Sequence, residues 1–305
     1  MSLRIGIDIG GTKTDAVALA ADGTVAAEHR LATGFGAAAV LASAESAVRA
    51  LATTLGASPE DFTTIGVGIP GAVDRVSGRV AHAVNLGLED LDLGAELKAR
   101  LGRPVRVEND VNAAALGAWQ ALGGGSSDSM AYLNLGTGLA AGLVLGGRLW
   151  RGARGVAGEI GHIPVDPAGP LCPCGQRGCL ELAASGSGLA RAWPGGDSVR
   201  DLFAAAAAGD AEALAVQERF VEHVAAAVRL LVLTVDPDRV VIGGGLSSLG
   251  DELHVAVCEV LKEWAASSAF LAMLDLPDRV EMLPRDFPAA AVGAALVGAA
   301  SEADG

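Results

Sequence analysis

Aromatic side chains are scarce in this chain, 4% of its 305 residues, and basic ones are outnumbered: Lys plus Arg total 22 against 36 Asp plus Glu. The formal net charge is −14 with His neutral. A surface of that sign repels nucleic-acid phosphates and anionic lipid, and no basic run or aromatic-plus-basic stripe offsets it. Neither is expected as a partner. Long uninterrupted apolar runs are also missing. Apolar stretches such as Val224 to Val235, broken by Arg229, stay well under 18 uninterrupted residues, so no membrane span is expected. The N-terminus, Met1 to Ile5, enters an apolar strand without a charged leader or a small-residue cleavage site, and the chain is read as cytoplasmic. With only four cysteines in a reducing compartment, a metal is a better use for them than disulfides.

What the chain has in quantity is small and apolar residues. It is 51% hydrophobic with 42 glycines, which fits a layered α/β enzyme with many tight turns and argues against disorder. Its length suits two domains of about 150 residues each. Strands are read at Leu3 to Asp8, Thr14 to Ala20, Thr24 to Leu31, Thr64 to Gly68 and Pro104 to Glu108. Helices are read at 36–55 and Val111 to Leu122, for which Asp110 has the chemistry of a cap. After the linker Gly123 to Ser127 a second cycle begins, with strands Met130 to Leu135, Ala140 to Leu145 and Arg239 to Ile242. Alanine-rich helices follow at 198–208 and 211–235, and a last one at Pro288 to Ala300. Ile7 to Thr12 and Leu133 to Gly138 share a strand, glycine-threonine turn, strand pattern, a weak sign of internal duplication.

Three glycine turns end buried strands. Asp8-Ile9-Gly10-Gly11-Thr12-Lys13 lets backbone N–H groups approach phosphate oxygens, with Thr12 as hydroxyl donor, Lys13 as cation and Asp8 able to hold Mg²⁺. It is neither a Walker loop nor a dinucleotide fingerprint, because the spacings differ and a hairpin follows. Gly136-Thr137-Gly138 repeats the device, and Gly243-Gly244-Gly245 follows another strand. Together they suggest a nucleotide cleft. Glu108-Asn109-Asp110 lies at a strand end, where open α/β sheets place their ligands. A sugar hydroxyl attacking a γ-phosphate needs a carboxylate to take its proton, which Asp110 could do while Asn109 orients hydroxyls. A plain helix cap is the competing use.

The strongest local signal is Glu159-Ile160-Gly161-His162 followed by Cys172-Pro173-Cys174-Gly175-Gln176-Arg177-Gly178-Cys179. His162, Cys172, Cys174 and Cys179 supply the four soft ligands of a closed zinc site, with tight turns at Gly175 and Gly178. All four positions filled by protein means a structural zinc that activates no water. Cys258, among Val255, Val257 and Val260, reads as core. Glu159 and Glu181 flank the cluster and suit sugar hydroxyls.

These motifs, in this order over nearly the whole chain, resemble the ROK family of bacterial sugar kinases and sugar-responsive repressors, within the actin/hexokinase-like ATPases. The resemblance includes the Gly68-Ile69-Pro70-Gly71 loop with Asp74. It implies an α/β, two-domain actin/hexokinase-like (ribonuclease H-like) ATPase fold with an interdomain active-site cleft. The small domain would be 1–110 with helix 288–303 packing back on it, and the large domain 111–287 with zinc loop 159–181. The implied activity is phosphoryl transfer from MgATP to the 6-hydroxyl of glucose or a close analogue, with N-acetylglucosamine or N-acetylmannosamine as alternatives. Asp110 would be the base. Gly71, Asn109, Asp110, Glu159, His162 and Glu181 would contact the sugar, His162 also binding zinc. Asp8, Gly10, Gly11, Thr12, Lys13, Gly136, Thr137 and Gly138 would face the ATP phosphates, and Gly243, Gly244 and Gly245 the adenosine. Members of the family are often dimers or tetramers, so a homodimer or homotetramer is implied by the resemblance. Repressors of the family carry a DNA-binding helix-turn-helix ahead of this body, for which the first phosphate turn at residue 10 leaves no room. Two positions depart from the pattern: Pro173 and Ala140 stand where glycine is commoner. Residues 186–210 match no motif.

Overall fold

A computed structural model describes residues 2–196 and 198–299. In chain order its strands are β1 (Arg4–Ile9), β2 (Lys13–Leu19), β3 (Val25–Ala32), β4 (Thr64–Ile69), β5 (Ala72–Asp74), β6 (Arg79–Ala83), β7 (Leu88–Leu91), β8 (Val105–Asn109), β9 (Ser129–Leu135), β10 (Leu139–Leu145), β11 (Arg148–Trp150), β12 (Arg239–Gly243) and β13 (Val280–Met282). The helices are α1 (Ala37–Leu55), α2 (Leu93–Leu101), α3 (Asp110–Ala121), α4 (Glu181–Ala184), α5 (Gly186–Ala192), α6 (Val199–Ala207), α7 (Ala211–Val235), α8 (Asp251–Ser267), α9 (Ala269–Ala272) and α10 (Ala289–Ala299). No helix among the described residues is long and apolar enough to cross a membrane.

The chain divides into two units: residues 1–126, 147–155 and 288–305, and residues 127–146 and 156–287. The expected division at residue 110 differs from this for a packing reason. Helix α3 lies along α10 and against β4 and β8, and β11 packs on α3, so 111–126 and 147–155 group with the first unit. The last residues expected in the C-terminal helix, 300–303, lie outside the described residues.

The first unit is built on a sheet of order β3-β2-β1-β4-β8, with β5-β6-β7 as a separate antiparallel ribbon. Strands β1, β4 and β8 run parallel, in register Asp8↔Gly68↔Glu108. Their carboxyl ends therefore share one edge, which gathers three loops that the sequence keeps far apart. Ile5, Ile7, Ile65, Val67, Val48 and Leu51 form the core between this sheet and α1. On the other face lies α10, whose sequence AAAVGAALVGA is apolar all round, as a fully packed helix must be. It sits so close to β1 and β4 that only glycine fits beneath it. A Cβ on Gly66 would overlap the Ala294 carbonyl oxygen, which is backbone and cannot rotate aside. Gly66→Ala should therefore cost about 3 kcal/mol of stability, read as a lower denaturant midpoint, and an unchanged midpoint would contradict this packing.

The second unit repeats the plan. Hairpin β9–β10 is antiparallel and β12 pairs parallel with β9, in register Gly243↔Asn134, with β13 parallel beyond it. Both units thus carry a hairpin whose first strand pairs with a parallel strand, as the paired motifs suggested. The core is filled by Leu133, Val224, Ile242 and Leu261, with the Phe203 and Phe220 rings edge to face at 6.4 Å. Helix α6 starts on a capping box: Asp201 Oδ2 accepts the Ser198 N–H at 2.9 Å, and Ser198 Oγ accepts the Asp201 N–H at 3.3 Å. Asp210 caps α7.

Candidate functional site

In the first unit the carboxyl edge carries Asp8, the turn Gly10 to Lys13, Gly71, and Asn109-Asp110. The turn is closed by Gly10 N–H donating to the Lys13 carbonyl at 2.9 Å. Its second glycine packs on Asn85, whose Cβ would lie 3.3 Å from a Cβ added at Gly11. Lys13 is exposed, with its ammonium 3.5 Å from Asp15 Oδ2; Arg30 also pairs with Asp15. Gly71 has φ 105 and fits against the Ala81 carbonyl and Ala83. Asp74 is exposed and serves its own turn, accepting the Val76 N–H at 3.0 Å.

The cap of α3 is Asn109, not Asp110. Strand β8 runs one residue further than the sequence suggests, and Asn109 Oδ1 accepts the N–H groups of Val111 at 3.0 Å and Asn112 at 3.2 Å. Asp110 is instead the first helical residue, half-buried, with Oδ1 accepting the Val111 N–H at 3.0 Å. The cap reading that competed with a catalytic Asp110 is thus taken by its neighbour. Asn109 Nδ2 reaches towards the Gly71 carbonyl at 3.5 Å, tying two of the expected sugar contacts together.

Asp8 stands directly opposite Asp15 across the β1–β2 ladder. Burial first, then the charges of Asp110 and Asp15, push the Asp8 carboxyl up to about 8, with Lys13 opposing. A divalent cation is what such a crowded group of carboxylates favours. The same shift makes a stability prediction. Between pH 4 and 8 the folded chain keeps an Asp8 proton that the unfolded chain has released, so raising the pH through that window removes stability. Asp8→Asn should be more stable than the parent at pH 8, by about 5 kcal/mol at most, and the advantage should shrink towards pH 5. Denaturant unfolding at the two pH values checks it; a pH-independent difference would contradict it.

In the second unit, Gly136 N–H donates to the Gly138 carbonyl at 3.0 Å, closing the counterpart turn. The turn is held from below by α4 and α5: Gly186 and Ser187 N–H groups donate to the carbonyls of Gly136 and Thr137 at 2.9 and 3.1 Å, and Glu181 Oε2 accepts the Leu139 N–H at 3.2 Å. A Cβ on Gly138 would lie 2.6 Å from that same oxygen, so one expected sugar contact directly supports an expected phosphate turn. Ala140 lies beyond the turn, paired with Asn134 inside the β9–β10 ladder. Gly244, at φ 85, passes tightly over the Leu135 carbonyl, which fixes glycine at this position.

Beside Gly245 opens a cavity of about 350 Å³, lined by Gly186, Leu189, Trp193, Arg200, Leu246 and Ser248 among others. This supplies the partner that residues 186–210 withheld from sequence reading. Its walls mix core-type Leu189, Trp193 and Leu246 with small and polar residues, and only the adjacency of α5 and α6 to the short helix after Gly244 makes them a pocket.

The four expected metal ligands converge. The ligand atoms of His162, Cys172, Cys174 and Cys179 all lie within 4.8 Å of one another, and the Cys174 and Cys179 sulfurs are 3.6 Å apart. Gly175 and Gly178 both have positive φ, 90 and 62, as the tight turns need. Gln176 backbone and side-chain N–H groups pull the Cys174 thiol down to about 6, while burial pushes Cys179 up to about 12. His162 Nδ1 is buried without a hydrogen-bond partner. An imidazole nitrogen left so among three thiols fits a soft cation, and the donor set fits zinc. Glu159 is exposed at the start of the short helix that carries His162. Cys258 is buried on α8 near His254 and the Pro277 carbonyl, apart from the cluster.

The ROK family model matches residues 4–298. A glucokinase of Halalkalibacterium halodurans is 35% identical over 271 residues, covering 82% of each chain. The ROK hexokinase structure from Thermus thermophilus superposes with a TM-score of 0.82 at 31% identity, covering 99% of this chain and 100% of that one. A ROK family glucokinase from Streptomyces griseus, solved with glucose and AMPPNP, gives 0.81 at 31% identity over 98% and 99% of the two chains. The fold is accordingly the α/β actin/hexokinase-like one.

Proposed function

The chain belongs to the ROK family, and from that premise we propose that it is an ATP-dependent sugar kinase that transfers the γ-phosphoryl group of MgATP to the 6-hydroxyl of glucose. The observation that carries the residue roles is Asp110 directly after β8, on the carboxyl edge of the parallel strands that also carries Asp8, with the helix cap assigned to Asn109.

A sugar alcohol is a weak nucleophile because its proton leaves only at very high pH. Asp110 accepts that proton as the oxygen closes on phosphorus. Gly71, Asn109, Glu159, His162 and Glu181 keep the sugar-contact roles that the family resemblance implies. The two glycine turns direct N–H groups at the phosphates, joined by Thr12 and Lys13. Asp8 is the residue for Mg²⁺, which when bound neutralises phosphate charge. The cavity beside Gly245 takes the adenosine, with Trp193, Leu189 and Leu246 as apolar walls. His162, Cys172, Cys174 and Cys179 would hold a structural zinc, which fixes the loop carrying His162 and Glu181. The work is placed in the cytoplasm, where ATP and free hexoses meet.

A coupled ADP-release assay over glucose, mannose, N-acetylglucosamine and N-acetylmannosamine tests the reading. Glucose should give the highest kcat/KM, by at least about tenfold. An N-acetyl sugar in first place would change the substrate, and sugar binding without ADP release would make the chain a sensor instead.

A further inference from the structure

Glu108 carries its acidic side chain in the interior, only 2% exposed at the end of β8, and the sugar and nucleotide assignments give it no task. Its surroundings are specific. Oε1 accepts the Asn109 N–H and the Asn112 side-chain N–H, both at 3.1 Å. Oε2 accepts Arg151 Nε at 2.7 Å. Arg151, itself 18% exposed, spends a second N–H on the Leu149 carbonyl at 3.3 Å. A buried pair of this kind is a poor way to gain stability, since desolvation offsets most of the attraction. It is a good way to fix a position, because both partners are over-determined by direction as well as charge.

What it fixes is the two-residue tip between strand and helix. The Asn109 N–H is held from below by Glu108, Asn109 Oδ1 is held by the first turn of α3, and Asn112 of that turn is held by Glu108 again. Asp110 lies inside this closed ring of hydrogen bonds. Arg151 supplies the counter-charge from the segment 147–155, the stretch of the first unit whose two ends both continue into the second.

We propose that the Glu108–Arg151 pair is a positioning device for the base: it sets the backbone of Asn109-Asp110 so that the Asp110 carboxylate points at the acceptor hydroxyl. The inference rests on the kinase reading above. A misplacement of about 1 Å in such a group costs roughly 10²-fold in rate without removing any ligand contact.

The test uses the whole enzyme with glucose and MgATP, at a temperature well below each variant's unfolding transition. E108Q and R151M should each lower kcat by about 30-fold while leaving the glucose KM within about threefold. R151K keeps the charge but replaces two directed nitrogens, Nε to Glu108 and Nη1 to the Leu149 carbonyl, with a single ammonium, so it should lose about fivefold in kcat. The double variant E108Q/R151M removes both charges and should be faster than R151M alone by about fivefold, the signature of a coupled pair. If E108Q and R151M do not fold, R151K still decides, since a kcat within about twofold of the parent overturns the proposal. So does a loss of rate matched by an equal loss of folded protein. D110N separates the two levels: a dead D110N beside normal E108Q and R151M sinks only the positioning role, whereas an active D110N sinks the base assignment itself.

Discussion

Asp110→Asn should leave glucose bound with a Kd within about threefold of the parent and reduce kcat by about 10³-fold. The substitution keeps size, shape and the acceptor oxygen that takes the Val111 N–H, so the helix start has no reason to move. What is lost is the ability to accept a proton from the sugar hydroxyl as charge develops. Binding enthalpy by calorimetry and turnover by coupled ADP release separate the two effects. The split is the diagnostic feature: a structural carboxylate would lower both binding and rate, and a bystander neither. A side benefit is expected at Asp8, whose carboxyl is held up partly by the Asp110 charge and should ionise at lower pH without it.

Zinc carries the second large effect. The native chain should contain about one zinc per molecule by metal analysis, and Cys174→Ser should contain almost none. Loss of a structural metal is expected to lower stability by about 3 kcal/mol or more, because the buried Cys172 and Cys179 thiols and the buried His162 Nδ1 would lose their shared partner. Turnover should fall with it, since Glu181, two residues beyond Cys179, holds the Gly138 turn through Leu139. Cys258→Ser is the matched control and should keep full metal content. A Cys174→Ser variant that retains one zinc per chain would contradict the ligand set.

Much of this architecture is written into local chemistry. Gly10-Gly11, Gly136-Gly138 and Gly243-Gly245 are conspicuous in the sequence as glycine turns at strand ends, and at Gly244 the Leu135 carbonyl leaves no space for a side chain. The metal cluster is legible for the same reason: its ligands lie within 18 residues and their chemistry has few other uses. Longer-range features were not legible. Ribbon β5-β6-β7 and helix α2 are short and mixed in polarity, so their pattern does not stand out from a loop. The choice between Asn109 and Asp110 as cap turned on where β8 ends, and either residue has the right side chain. Arg151 reads as an ordinary surface arginine until the fold brings it to Glu108, 43 residues away. The pocket walls at Leu189, Trp193 and Leu246 carry the same apolar chemistry as the core, and only the packing of three helices distinguishes them.

The most direct test is to incubate the protein with glucose and MgATP and follow the products by ³¹P and ¹H NMR. The account predicts a phosphomonoester whose phosphorus couples to the two protons on C6, formed in equal amount with ADP. ADP accompanied only by inorganic phosphate, or a phosphorus coupled to the anomeric proton, would contradict it.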